Sequence, residues 1–213
     1  MDRAAKLSIA EVVVVVGLIA VFLWFGRRAF PGVNAAFAVM LLALLVYSHW
    51  QAGEGWREIG FRLDTLWPAS RLLIPLALGA GAIVWIASIV LRDFGPPSGT
   101  VPTRIGQFIA FGLAQQYVML GFILRRLDRV ADARSSLAIT AVLFALLHLP
   151  NLFLTAVTLV WGVISCLVYR RWPNLWVNGV THGLLASLLY YVLPRAVTHA
   201  LRVGTAYVAT LSS

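Results

Sequence analysis

Runs of about 20 consecutive apolar residues recur along the whole chain, and arginine-rich segments separate them. That pattern leaves few folds open. A helix needs about 20 apolar residues to cross the hydrocarbon core of a bilayer. Seven runs meet or approach that length: 8–26, 33–50, 70–92, 105–124, 136–152, 154–169 and 174–193. The tail, "AVTHALRVGTAYVATL" at 196–211, is weakly apolar and reads as a short eighth span or an interfacial helix. The expected fold is therefore all-α: one polytopic membrane domain over 1–213, a bundle of seven or eight transmembrane helices. Composition agrees. The chain is 61% hydrophobic and 12% charged, against roughly 45–50% and about 25% in soluble domains.

The net charge of +9 does not point to nucleic acid. The arginines sit in short segments flanking apolar runs, where positive residues set membrane orientation. Eleven Arg and Lys fall on the side of the N-terminus: Arg3, Lys6, Arg57, Arg62, Arg71, Arg125, Arg126, Arg129, Arg134, Arg170 and Arg171. Six fall on the other: Arg27, Arg28, Arg92, Arg104, Arg195 and Arg202. The excess places the N-terminus in the cytoplasm, and the expected location is a bacterial inner membrane. The opening run contains Glu11 and lacks a small-residue cleavage site, so it reads as an uncleaved first span rather than a signal peptide. The one cysteine, Cys166, lies within an apolar run and reads as a small hydrophobe.

The connecting segments differ in character. Residues 51–69 mix charge with Trp56, Phe61 and Trp67, the composition of a segment at the membrane surface. Residues 93–104, "DFGPPSGTVPTR", cannot be helical throughout. Residues 125–135 are charged and helix-compatible, and "RRWPN" at 170–174 reads as a tight turn.

Polar side chains inside spans face the bundle interior and are functional candidates by default. Span four carries Gln107, Gln115 and Gln116. Span five carries His148, followed by Asn151, and span seven carries Asn178, Thr181, His182 and Ser187. Glu11 is the only carboxylate within a span. Phe144 and His148 are four apart and share a face, as do Asn178 and His182. Gln115 and Gln116 point about 100° apart, so only one can aim squarely at a given partner. If spans four, five and seven meet, two imidazoles, one or two glutamine amides and an asparagine amide surround a polar centre able to hold a water molecule. The plainer reading is that these amides and imidazoles glue helices together, at about 0.6–2 kcal/mol each.

Three short motifs in this order resemble the CPBP family, the CAAX-protease and bacteriocin-processing (Abi) intramembrane peptidases. The first motif reads EExxxR, then Gly, an apolar stretch and RRL. Here it is "QQYVMLGFILRRL", matching at Gly121, Phe122, Arg125, Arg126 and Leu127. The second, FxxxH, is met by Phe144 and His148, and the third supplies His182. The resemblance covers roughly 105–190. It implies an intramembrane endopeptidase that acts on membrane-proximal or C-terminal segments of a membrane protein or peptide substrate in the lipid bilayer. The candidate catalytic positions are then Gln115, Gln116, His148 and His182, with Phe144 and Asn178 in support.

The departures fall on those positions. Gln115 and Gln116 stand where the family has two glutamates, Leu120 where it has arginine, and Ala186 where it has Asn or Asp. In the family a glutamate is taken to be the general base on water, histidines assist, and the Asn steadies the oxyanion. An amide holds a water but has no useful basicity near neutral pH. Without acids, a buried guanidinium at position 120 would have no partner. The substitutions are mutually consistent with a charged site turned neutral, so the expectation is lost or much reduced proteolysis. The alternative is a non-catalytic pseudoprotease that binds transmembrane or lipidated segments. Two histidines fall short of the three protein ligands usual for catalytic zinc, so no metal or other cofactor is expected, and nucleic acid is not an expected partner.

Overall fold

The computed structural model describes residues 3–26, 32–91 and 101–211. Each of the seven apolar runs forms a helix: α1 (Arg3–Gly26), α2 (Val33–Gln51), α3 (Leu66–Leu91), α4 (Val101–Leu127), α5 (Ala133–Leu146), α6 (Leu152–Arg171) and α7 (Leu175–Val192). No strand occurs among the described residues. The first four and α6 are long and apolar enough to cross a membrane, five helices in all. Of the other two, α5 has 14 residues and α7 has 18. Arg27, Arg28, Arg92 and most of the 93–104 loop lie outside the described residues; Val101 to Arg104 form the first turn of α4.

The sequence marks the later helix starts. Asp132 accepts hydrogen bonds from the backbone N–H of Arg134 and Ser135 at 2.9 and 3.1 Å, capping α5. Asn151 and Asn174 cap α6 and α7 through Leu154 N and Val177 N, each at 3.0 Å. Caps of this kind are worth about 1 kcal/mol each. "RRWPN" is the turn it was expected to be: α6 stops at Arg171 and α7 begins after Asn174.

Two expectations need correction. Span five was read as running to 152, but α5 ends at Leu146, and His148 lies in the turn that follows. Proline at 150 disfavours helix at the residue before it and cannot donate to a helical ladder. The tail is not a spanning helix. It breaks into α8 (Arg195–Thr198), a 3-10 turn (His199–Leu201) and α9 (Thr205–Leu211). Ala200, inside the break, has φ of 52°, which no helical run tolerates. Gly204, at φ 56°, closes the break. A Cβ there would stand 2.4 Å from Leu23 O, so only glycine fits.

The second half of α4 is the hub. Tyr117 and every residue from Met119 to Leu124 are buried, as expected for a helix apolar all round. They pack with Val12 and Val15 of α1, Leu45 of α2, Ile59 of the connecting segment, Phe144 of α5, and Cys166 and Tyr169 of α6. From Tyr117 to Leu124 the backbone winds as a π-helix. The outer helices instead turn apolar side chains outward: Val13 and Val14 of α1, and Ile83, Trp85, Ile86 and Val90 of α3, are more than half exposed. An exposed apolar surface of this extent suits a lipid surround and no aqueous one.

Candidate active site

The site rests on one helix pair. Three glycines let α4 and α7 approach until their backbones touch. A Cβ on Gly112 would lie 2.6 Å from Gly179 O and 2.7 Å from Gly183 N. One on Gly179 would strike Leu113 Cα at 2.6 Å, and one on Gly183 would strike Ile109 Cα at 2.5 Å. Residues rising along α4 meet residues falling along α7, so the pair is antiparallel. Glycines four apart are the usual device for close helix approach in lipid. Helical side chains lean toward their own N-terminus, so in this pair the side chains of Gln116 and His182 lean toward each other.

They meet. Gln116, fully buried, places its amide nitrogen 3.0 Å from His182 Nδ1. The amide N–H donates and Nδ1 accepts, which leaves the proton of a neutral ring on Nε2. Among the described residues, none satisfies the other end of the amide, Oε1. Gln115 is half-buried and takes no part in the pair. Of the two glutamines, Gln116 is the one that engages the helix opposite.

From α5, Phe144 lies between the two imidazoles. Its ring centroid is 4.9 Å from that of His148 and 5.8 Å from that of His182, edge-on to both at 72° and 70°. His148 Nδ1 is 2.7 Å from Phe144 O. A carbonyl only accepts, so Nδ1 carries the proton, and in the neutral ring Nε2 keeps its lone pair. Both histidines are buried, at 7% and 9% exposure. Spans four, five and seven thus converge on these side chains.

The supporting positions divide. Asn178 is fully buried, and its Nδ2 donates to Asn174 O at 2.8 Å; Oδ1 has no partner among the described residues. Ser187 is satisfied within its helix through Gly183 O at 2.8 Å. Leu120 is fully buried among the apolar side chains of the hub, and Ala186 is half-buried one turn beyond His182. An arginine at 120 would be a charge with nothing to neutralise it. Among the described residues, no group of three or more His, Cys, Asp or Glu gathers where a metal could sit.

A second polar cluster, missed in the sequence, lies ten residues further along α4. Arg126 is completely buried. It donates to Glu11 Oε2 and Glu54 Oε2, both at 2.6 Å, and to Ser48 Oγ at 2.9 Å. Glu54 also receives Arg125 at 2.6 Å and Arg129 at 2.9 Å, and its Oε2 is 2.8 Å from His49 Nδ1. Burial pushes the Glu54 carboxyl up, but hydrogen bonds from His49, Arg126 and Arg125 outweigh it and hold the group well below the usual carboxylate range. These arginines had been counted as charges flanking a span. The signal that could have found the cluster was Glu11, since a carboxylate inside a span calls for a buried cation.

Residues 97–188 match the model described as "Type II CAAX prenyl endopeptidase Rce1-like". This stretch of the chain is similar to the CPBP family. Its match covers α4 to α7, the four helices that carry the Gln116, Phe144, His148 and His182 constellation and the glycine seam. No curated protein and no solved structure matches the chain. The five helices long and apolar enough to cross a membrane, with a stretch similar to CAAX endopeptidases, fit an integral membrane protein.

Proposed function

We propose that this protein retains the substrate-binding architecture of a CAAX-type intramembrane endopeptidase but hydrolyses peptide bonds slowly or not at all. The observation that carries the reading is the 3.0 Å contact between Gln116 and His182. It puts a neutral amide on the imidazole at the position where the family carries an acid. An amide can orient a water but cannot take its proton. The remaining base is His148, whose Nε2 lone pair is left free by the Nδ1 bond to Phe144 O. General-base assistance is typically worth about 10²–10⁴-fold, and an oxyanion donor, for which Ala186 provides no group, another 10²–10³-fold. The substrate class that fits is a membrane-proximal or C-terminal segment of a membrane protein, with the N-terminus of this chain on the cytoplasmic face of a bacterial inner membrane.

The second reading, a non-catalytic binder of transmembrane or lipidated segments, is favoured by Leu120, since a buried leucine removes the charged partner an acid would need. One experiment separates the two. Purified protein is reconstituted into liposomes and assayed on a reporter peptide anchored in the same bilayer. A slow peptidase shows cleavage that disappears in His148→Ala and in His182→Ala. A pure binder shows none, yet retains the peptide in pull-down. Cleavage untouched by either substitution would overturn the site assignment itself.

A further inference from the structure

We propose that the pocket at the start of α4 is a binding site for the phosphate headgroup of an anionic phospholipid. This pocket, of about 270 Å³, is lined by Arg104, Gln107, Phe108, Phe111 and Tyr190. Its position is set by length. At 1.5 Å per residue the 27 residues of α4 span about 40 Å, longer than the hydrocarbon core of about 30 Å. Arg125 and Arg126 mark one end of α4, so its first turn stands in the headgroup layer of the opposite leaflet. Tyr190 and Tyr191, near the end of the antiparallel α7, are at the same level, where tyrosines are enriched in spanning proteins.

The chemistry suits a phosphodiester. The Arg104 guanidinium donates to the Tyr190 hydroxyl and stands 5.3 Å from the centre of the Tyr190 ring. Phe108 in turn packs on Tyr190 at 5.4 Å between centroids. The tyrosine fixes the cation without neutralising it. Among the described residues no carboxylate stands within ion-pair distance of Arg104. A half-buried guanidinium with donors to spare is a ready-made partner for phosphate oxygens. The Gln107 amide adds a further donor, and Phe111, 61% exposed, offers an apolar wall along which an acyl chain can lie. That wall is what favours a lipid over a free anion.

The site is independent of whether the histidine pocket hydrolyses anything. It is tested on the full chain in neutral detergent, by native mass spectrometry and thermal unfolding. The probes are phosphatidylglycerol, phosphatidylcholine with the same acyl chains, and inorganic phosphate. Wild type should retain phosphatidylglycerol through purification and melt higher with it than with phosphatidylcholine. Arg104→Gln should bind phosphatidylglycerol about tenfold more weakly, the scale of one charge-assisted hydrogen bond. Arg195→Gln, an exposed arginine past the end of the same helix pair, should bind like wild type. Equal affinity in Arg104→Gln overturns the proposal, as do equal binding of the two lipids and equal stabilisation by inorganic phosphate. Should Arg104→Gln fail to fold, Gln107→Glu replaces it: an exposed site gains a negative charge, and unchanged phosphatidylglycerol affinity is again the overturning result.

Discussion

Gln116 and Gln115 stand side by side in the chain, yet the bundle treats them differently. Gln116→Leu strands a buried imidazole nitrogen, which costs about 1–3 kcal/mol. The same change at Gln115 should stay within about 0.5 kcal/mol. Denaturation in detergent micelles with both variants checks the difference, and equal losses would show that His182 does not depend on the amide. A catalytic counterpart follows from the same contact. Converting Gln116→Glu together with Leu120→Arg and Ala186→Asn restores acid, counter-charge and amide donor. It should raise peptide cleavage by about 10²-fold or more over wild type. Reporter hydrolysis in liposomes measures it, and a triple variant as slow as wild type would mean that other groups limit the rate.

At the scale of helices, the α4–α7 contact depends on the absence of three side chains. Ala at Gly179 or Gly183 must push the helices apart, since each new Cβ would meet backbone atoms of α4 rather than a flexible side-chain tip. The cost expected for such overpacking is about 1–3 kcal/mol. Denaturation of Gly179→Ala and Gly183→Ala in detergent micelles measures it; unaltered stability in both would refute the tight seam. Much of this level was legible beforehand. Apolar runs located the helices, and four-residue spacing put Phe144 beside His148 and Asn178 on one stripe with His182. Capping by Asp132, Asn151 and Asn174 followed the ordinary rule for helix starts. The end of α5 was not legible, because the apolar run continues through Leu147 and Leu149 and hides the stop that Pro150 imposes. Nor was the π-wound segment after Gln116, which no residue pattern announces.

Over the whole molecule, the Arg126 cluster joins α1, α2, the 52–65 connection and α4. Its pairs lie 72 and 115 residues apart in the chain, beyond the reach of any local pattern. Spacing groups residues along one helix, as it did Asn178 with His182; it could not find a partner supplied by a distant loop. Arg126→Met leaves Glu11 and Glu54 without their shared cation, and losing one partner of a buried ion pair costs about 3–5 kcal/mol. Thermal unfolding of that variant beside Arg134→Met, an exposed residue, checks the assignment; matching midpoints would contradict it. The same cluster sets an acid limit. The folded Glu54 carboxyl titrates below its ordinary value of 4.5, so the stability it contributes is fully present above that pH. It is lost as pH falls from there toward the depressed folded value. A Glu54→Gln variant should show a flatter stability profile below pH 4.5 than wild type.

The C-terminal strap has a mechanical consequence. Gly204 N bonds Leu149 O at 2.9 Å, the Thr205 hydroxyl reaches Leu23 O at 3.2 Å, and Asn151 holds the carbonyls of Thr198 and Arg202. The last residues therefore buckle the exit of the first helix to the corner that seats His148. Cutting the chain at Val203, or tugging on it through a fused domain, would slacken an imidazole that lies more than fifty positions upstream.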